Sequence, residues 1–290
     1  MPSTIFSELP TAVWEAVANH TGHVNRFDSA PNGNHAEIAG TLHTEHGRVF
    51  VKGTRLLPDQ HWGGGEAWSL RNEAAVIPHA RPYAPNLLWQ VETAGWLLVA
   101  FEHIEGRHPQ YHPGSADLKS LAAAIAALSE LPCPDAVRLR VEDRYRSQDP
   151  AAQALAGSTM LHCDLNPSNI LITPAGDVRV VDWAFCSRGA AWLECAFLLP
   201  WLLRDGHTPD DAEAWLNRFP AWKQADPTIV DSFASWLATA WARRDVPDAA
   251  PWIIEYAGIT RTWATHRHNP SAARTQESAW RKPAAAAPEM

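Results

Sequence analysis

The chain is expected to adopt an α+β fold, with a small sheet preceding a larger helical part. Three observations carry this expectation. Between Val24 and Phe101, short apolar runs alternate with turn residues; from Asp117 onward, apolar residues recur at helical spacing; and a hairpin pattern around Pro174–Asp177 interrupts the helical part. At 290 residues and 46% hydrophobic content, the chain can bury a substantial core as one large domain or two lobes.

Composition narrows the function classes. A formal charge of −8 disfavours nonspecific nucleic-acid binding and is compatible with a cationic acceptor. Cys133, Cys163, Cys186 and Cys195 form no Cys-x-x-Cys pair and no dense framework, so they read as reduced thiols. The longest apolar run, Ala196 to Leu203, is too short to span a bilayer, and Met1 to Val13 lacks the pattern of a signal peptide. No membrane partner is expected, and a cytoplasmic location is the simplest reading. The 14 histidines contain no His-Glu-x-x-His helix, so no structural transition-metal site is expected. The 15 tryptophans are assigned to core packing, with a few left to line an acceptor pocket. Nothing in the chain signals an oligomeric state.

An opening helix over 3–20 is started or broken at Pro10. Strands follow at Val24 to Phe27, Ala36 to Leu42 and Arg48 to Val51, connected through 30–34 and 44–47, with Lys52 closing the third strand. Glycines at 63–65 lead into a helix over 66–77 whose buried stripe is Leu70, Ala74 and Ile77, and Pro78 ends it. Glu73 lies on or beside that stripe, where a carboxylate needs a charged partner; Glu66 is the alternate. Two more strands, Pro85 to Trp89 and Trp96 to Phe101, flank a turn at Thr93 to Gly95.

Asp117 to Leu131 reads as an amphipathic helix stopped by Pro132. Residues 132–150 look irregular, and a short helix over 150–156 leads onward. The last third is helical over Trp192 to Leu203, Pro209 to Phe219, Thr228 to Arg243 and Pro251 to His266. Its acidic residues Asp210, Asp211, Glu213, Asp231 and Glu255 either face a polycationic substrate or serve as caps and dipole partners. The Ala-rich tail from Lys282 is expected to fray.

The densest chemistry lies in residues 159–184. His162, Asp164 and Asn169 have the spacing His-x-Asp-x4-Asn, and the runs Ile170 to Ile172 and Val178 to Val181 read as a hairpin that folds Asp182 back beside Asn169. Phosphoryl transfer needs a carboxylate to orient and deprotonate a hydroxyl, and oxygen ligands to hold Mg2+ against nucleotide phosphates. Asp164 suits the first task; Asn169 and Asp182 suit the second.

This stretch resembles the aminoglycoside phosphotransferase family, small-molecule kinases of the protein-kinase-like fold. His162-Cys163-Asp164 through Asn169 stand for its catalytic loop and Val181-Asp182-Trp183 for its metal-binding element. Cys163 departs from the usual Gly or Arg, and Asn166 stands where protein kinases place Lys. The resemblance implies a bilobal fold: an N-terminal lobe over 1–101 with a five-stranded antiparallel sheet and one helix, a hinge at 102–106, and a mainly helical lobe over 107–290. It implies that Lys52, held by Glu73, contacts nucleotide phosphates, that the loop with Gly33 and Asn34 covers them, and that backbone groups of Glu102 and Ile104 meet the purine edge. Glu194 takes a structural role of the family's later aspartate. The cofactors implied are Mg2+ and ATP, with GTP open, and the partner is a small-molecule hydroxyl acceptor, an aminoglycoside or related antibiotic being the first class to test. Sugars and amino-alcohols use the same scaffold. A nucleotide-binding sensor module and a nucleotidyl transferase remain as alternatives.

Overall fold

The computed structural model describes residues 8–30, 36–57, 65–144 and 150–268. Helix α1 (Thr11–Thr21) is followed by β1 (Val24–Ser29), β2 (Ile38–Thr44), β3 (Gly47–Arg55), α2 (Glu66–Val76), β4 (Leu87–Thr93) and β5 (Trp96–Glu102). The strands form one antiparallel sheet in the order β1-β2-β3-β5-β4. Strand alternation puts Ile38, Leu42, Val51, Leu98 and Ala100 on one face, where Val13 and Val17 of α1 cover them. The opposite face carries Lys52, paired with Ala39 on β2 and Val99 on β5. Lys52 thus lies inside β3 and does not close it, because Gly53 and Thr54 continue the ladder opposite Leu98 and Leu97.

Beyond the sheet come α3 (Asp117–Ser129), β6 (Leu139–Arg140), α4 (Val141–Arg144), a 3-10 turn at Pro150–Leu155, β7 (Thr159–Leu161), β8 (Ile170–Ile172), β9 (Val178–Val180) and β10 (Ser187–Gly189). Helices α5 (Leu193–Arg204), α6 (Pro209–Leu216), α7 (Pro220–Lys223), α8 (Pro227–Ala242) and α9 (Pro251–His268) complete the described chain. The starts of α6 and α8 follow from capping: Thr208 accepts from the Asp211 amide and Asp226 from the Thr228 amide, each with proline in the first turn. Leu118, Leu121, Ile125 and Leu128 of α3 are buried in the larger core, together with Trp183, Trp192, Trp215, Trp222 and Trp263.

The α+β, bilobal expectation holds, and β8 and β9 form the expected hairpin, with Ile170 opposite Val180. The short helix expected over 150–156 is a 3-10 helix at Pro150–Leu155, whereas the segment 132–150, expected to be irregular, contains β6 and α4. β6, β10 and β7 form a small sheet of strands two or three residues long, too short to leave a period in the sequence. No helix among the described residues is long and apolar enough to cross a membrane.

Candidate active site

Strand β7 delivers the chain to His162, and the next residue, Cys163, adopts a left-handed φ of 67° that redirects Asp164. A non-glycine residue in this region is strained unless its surroundings hold it. Glu194, at the start of α5, supplies that hold: its two carboxylate oxygens accept the backbone N–H groups of His162 at 2.6 Å and Cys163 at 3.0 Å. Burial pushes the Glu194 carboxyl up to about 7, although both amide contacts oppose the shift. From the other side, the Tyr111 hydroxyl donates to the carbonyl of Leu165 at 3.0 Å.

His162 links this loop to the hairpin. Its Nε2 lies 3.0 Å from the Val181 carbonyl oxygen, which only accepts, so Nε2 carries the proton and Nδ1 accepts the Asp164 amide at 3.3 Å. Burial lowers the ring to about 4 and keeps it neutral, consistent with that tautomer. Trp183 packs edge-on against it at 4.7 Å.

Three charges from separate elements meet beside the loop. Lys52 Nζ lies 3.0 and 2.9 Å from the two Glu73 oxygens and 2.7 Å from Asp182 Oδ1. Burial alone would favour the neutral amine, but Glu73 and Asp182 outweigh it and hold Lys52 above its ordinary value. Glu73 also accepts the Trp183 amide at 3.2 Å, and Asn72 donates to the Ala184 carbonyl at 3.1 Å, so α2 grips the residues after Asp182. Asp182 has a left-handed φ of 63°, a second backbone bend at the site.

The Asn169 amide nitrogen donates to the Asp164 carbonyl oxygen at 3.0 Å and to Asp164 Oδ2 at 3.1 Å. With the nitrogen committed, the Asn169 side-chain oxygen is the atom left for a cation. The Val181 amide donates to the Asn169 carbonyl at 2.8 Å, which brings Asp182 alongside. An amide oxygen and a carboxylate form a hard, sparse donor set. Mg2+ suits it, because this ion keeps waters and takes phosphate oxygens instead of demanding an all-protein cage. Among the described residues no cluster of three or more His, Cys, Asp or Glu side chains offers an alternative metal site.

Of the two glutamates weighed for Lys52, the structure selects Glu73; Glu66 bonds the Thr54 hydroxyl at 2.9 Å. Glu102 ends β5; its Oε2 accepts the Asn86 backbone and side-chain N–H groups and Arg179, and its own backbone N–H donates to the Asn86 carbonyl at 2.8 Å. Ile104 follows at the same edge, half-buried. Gly33 and Asn34, Gly63 and Gly64, and the tail from Lys282 lie outside the described residues. Asn166 caps the 3-10 turn Pro167–Asn169 by accepting the Ser168 amide at 2.8 Å. The acidic residues considered for a polycation are engaged within the fold: Glu213 and Asp231 with Arg267, Glu255 with Arg204, Asp211 with Thr208 and Asp210 near His266. Sequence reasoning missed Asn72 and Tyr111, since neither stands in a motif and each side chain makes one long-range hydrogen bond to a backbone carbonyl.

A five-stranded sheet joined to a helical part, with a cationic strand residue paired to a helix carboxylate, defines the protein-kinase-like fold. Residues 137–228 match the model of the phosphotransferase enzyme family. An aminoglycoside phosphotransferase from Alicyclobacillus acidocaldarius subsp. acidocaldarius DSM 446 is similar in structure, with TM-score 0.61, 15% identity, and coverage of 93% of this chain and 97% of that one. The choline kinase LicA from Streptococcus pneumoniae gives TM-score 0.56 at 13% identity, covering 93% and 99%. The AMP-bound spectinomycin phosphotransferase APH(9)-Ia gives 0.57 at 10% identity, covering 87% and 96%. No curated protein sequence matches the chain. Over residues 159–184 and in its fold, the chain resembles the aminoglycoside phosphotransferase family.

Proposed function

We propose that this protein transfers the γ-phosphoryl group of ATP or GTP to a hydroxyl of a small molecule. The observation that supports this best is the single cluster of Lys52, Glu73 and Asp182, joined through Val181 and His162 to the loop that carries Asp164. In this reading Lys52, held by Glu73, steadies the nucleotide phosphates. Asn169 and Asp182 hold Mg2+, which when bound neutralises charge on the phosphate oxygens. Asp164 orients the acceptor hydroxyl and takes its proton.

The nucleotide is assigned to the cleft between an N-terminal lobe over 1–101 and a C-terminal lobe over 107–290. The 102–106 hinge offers backbone groups of Glu102 and Ile104 to the purine, and Gly33 and Asn34 cover the phosphates. Two AMP-bound structural neighbours favour a nucleotide in this fold. Reduced thiols and a nucleotide substrate suit the cytoplasm. Neighbours named as aminoglycoside, choline and aminopropanol kinases make antibiotics and amino-alcohols the first acceptors to try.

The test is nucleoside diphosphate release from ATP or GTP with Mg2+ and a panel of acceptors, followed by product mass. A product heavier by one phosphate, lost in Asp164→Asn, is expected. A product carrying AMP would replace this reading with nucleotidyl transfer, and tight nucleotide binding with no product from any acceptor would leave a sensor module.

A further inference from the structure

We propose that Arg179 is a positioning residue for the nucleotide: through Glu102 it fixes the 102–106 hinge on the β8–β9 hairpin, so that purine and phosphates are held on one frame. The proposal rests on the phosphotransferase reading of that hairpin and adds a residue outside its motifs that sets nucleotide affinity.

The hairpin joins the two ends of the nucleotide site. Asn169 directly precedes β8 and Asp182 follows β9 by two residues, so the proposed metal donors lie at one end. Further along, Arg179 of β9 stands opposite Leu171 of β8. Arg179 Nη2 donates to the Ala84 carbonyl at 3.0 Å and to Glu102 Oε2 at 3.1 Å. The same Glu102 oxygen accepts the Asn86 backbone amide at 3.0 Å and its side-chain amide at 2.8 Å, and the Val180 amide donates to the Tyr83 carbonyl at 2.8 Å. Beyond the hinge, Arg107 and Ile172 exchange both backbone hydrogen bonds, at 3.0 and 2.8 Å. A Cβ on Gly106 would come within 2.9 Å of the Ile172 oxygen, so the backbone there lies directly on the hairpin. Residues 103–105 therefore run between two anchors on one hairpin.

The two anchors differ in what they ask of the sequence. The Arg107 anchor is made of backbone, which any residue but proline supplies. The Glu102 anchor depends on one guanidinium, whose side chain is 21% exposed, against a carboxylate 34% exposed, so solvent and salt screen the pair in part. Arg179 precedes Asp182 by three residues, about 10 Å of extended chain, and Glu102 precedes Ile104 by two. A hinge that slides on the hairpin therefore moves the purine contacts relative to the metal donors. Holding the hinge in place beforehand spares the nucleotide the cost of ordering it, which raises affinity without a new contact.

The test uses the full-length protein with Mg2+ and compares the Kd of ATP with that of inorganic tripolyphosphate, which lacks the purine. Arg179→Met, close in length but uncharged, is expected to weaken ATP binding about tenfold, the ratio that loss of one charge-assisted hydrogen bond corresponds to, and to leave tripolyphosphate within about twofold. Arg179→Lys keeps a charge beside Glu102 and should recover part of the ATP affinity. Glu102→Gln keeps the shape but not the charge; it should show the same split between the two ligands, and it decides the matter if Arg179→Met does not fold. Unchanged ATP affinity in Arg179→Met and Glu102→Gln overturns the proposal. An equal loss for ATP and tripolyphosphate also overturns it, by showing a general structural brace, and leaves the kinase reading intact. Failure of the wild type to bind ATP would overturn the kinase reading and this proposal with it.

Discussion

Lys52 Nζ and Asp182 Oδ1 lie 2.7 Å apart although 130 residues separate them in the chain. This contact ties the sheet to the hairpin, and Glu73 completes it from α2. Removing one partner of a buried ion pair leaves an uncompensated charge. Glu73→Ala is therefore expected to lower stability by about 2–4 kcal/mol, somewhat relieved because Lys52 keeps Asp182. Urea denaturation measures it. A loss as small as that of an exposed control such as Glu92→Ala would remove Glu73 from this role.

Asp164 should matter for chemistry more than for binding. Asp164→Asn keeps the side-chain shape and the neighbouring Asn169, so nucleotide affinity is expected to stay within a few-fold while kcat falls roughly 10²–10⁴-fold. Steady-state turnover and nucleotide titration of the same preparation check both halves. Near wild-type turnover would end the assignment of Asp164 as the proton acceptor.

Glu194 predicts opposite pH trends for stability and activity. Its folded value, about 7, lies above the ordinary 4.5, so the folded state binds the proton more tightly. The associated stability is fully present below the unfolded value and is lost as pH rises through about 7, an effect on the order of 3 kcal/mol. The charged form is the one that accepts both the His162 and Cys163 amides, so kcat should fall as pH drops below about 7. Tm and kcat measured against pH in the wild type and Glu194→Gln test this, and superimposable profiles would show that Glu194 does not titrate there.

The left-handed backbone at Cys163 gives a sign test. At an ordinary position alanine is at least as stabilising as glycine, but a Cβ at positive φ costs about 1 kcal/mol. Cys163→Gly should therefore be more stable than Cys163→Ala by about that amount. Equal stabilities by chemical denaturation would mean that the loop relaxes out of this conformation.

Much of the site was legible before the structure because its parts are local. His162, Asp164, Asn169 and Asp182 fall within 21 residues, and the hairpin between them is written as two apolar runs around a Pro-Ala-Gly-Asp turn. The preference for Glu73 over Glu66 was legible from the buried stripe of α2, and the Lys52–Glu73 pair agrees with it. Asn72 and Tyr111 left no trace, because a single hydrogen bond to a distant carbonyl requires neither a motif nor a period.

The sequence by itself determined the five strands of the N-terminal sheet, the main helices, the His162-x-Asp164-x4-Asn169 spacing and the hairpin that returns Asp182 toward Asn169. These follow from short-range periodicity and turn chemistry. Tertiary structure alone decided that Glu194 clamps the strained His162–Cys163 backbone, and that Glu213, Asp231 and Glu255 pair with arginines while Asp211 meets Thr208 and Asp210 lies near His266. Each of these outcomes depends on burial, and whether a charge is buried or solvated is set by elements far apart in the chain.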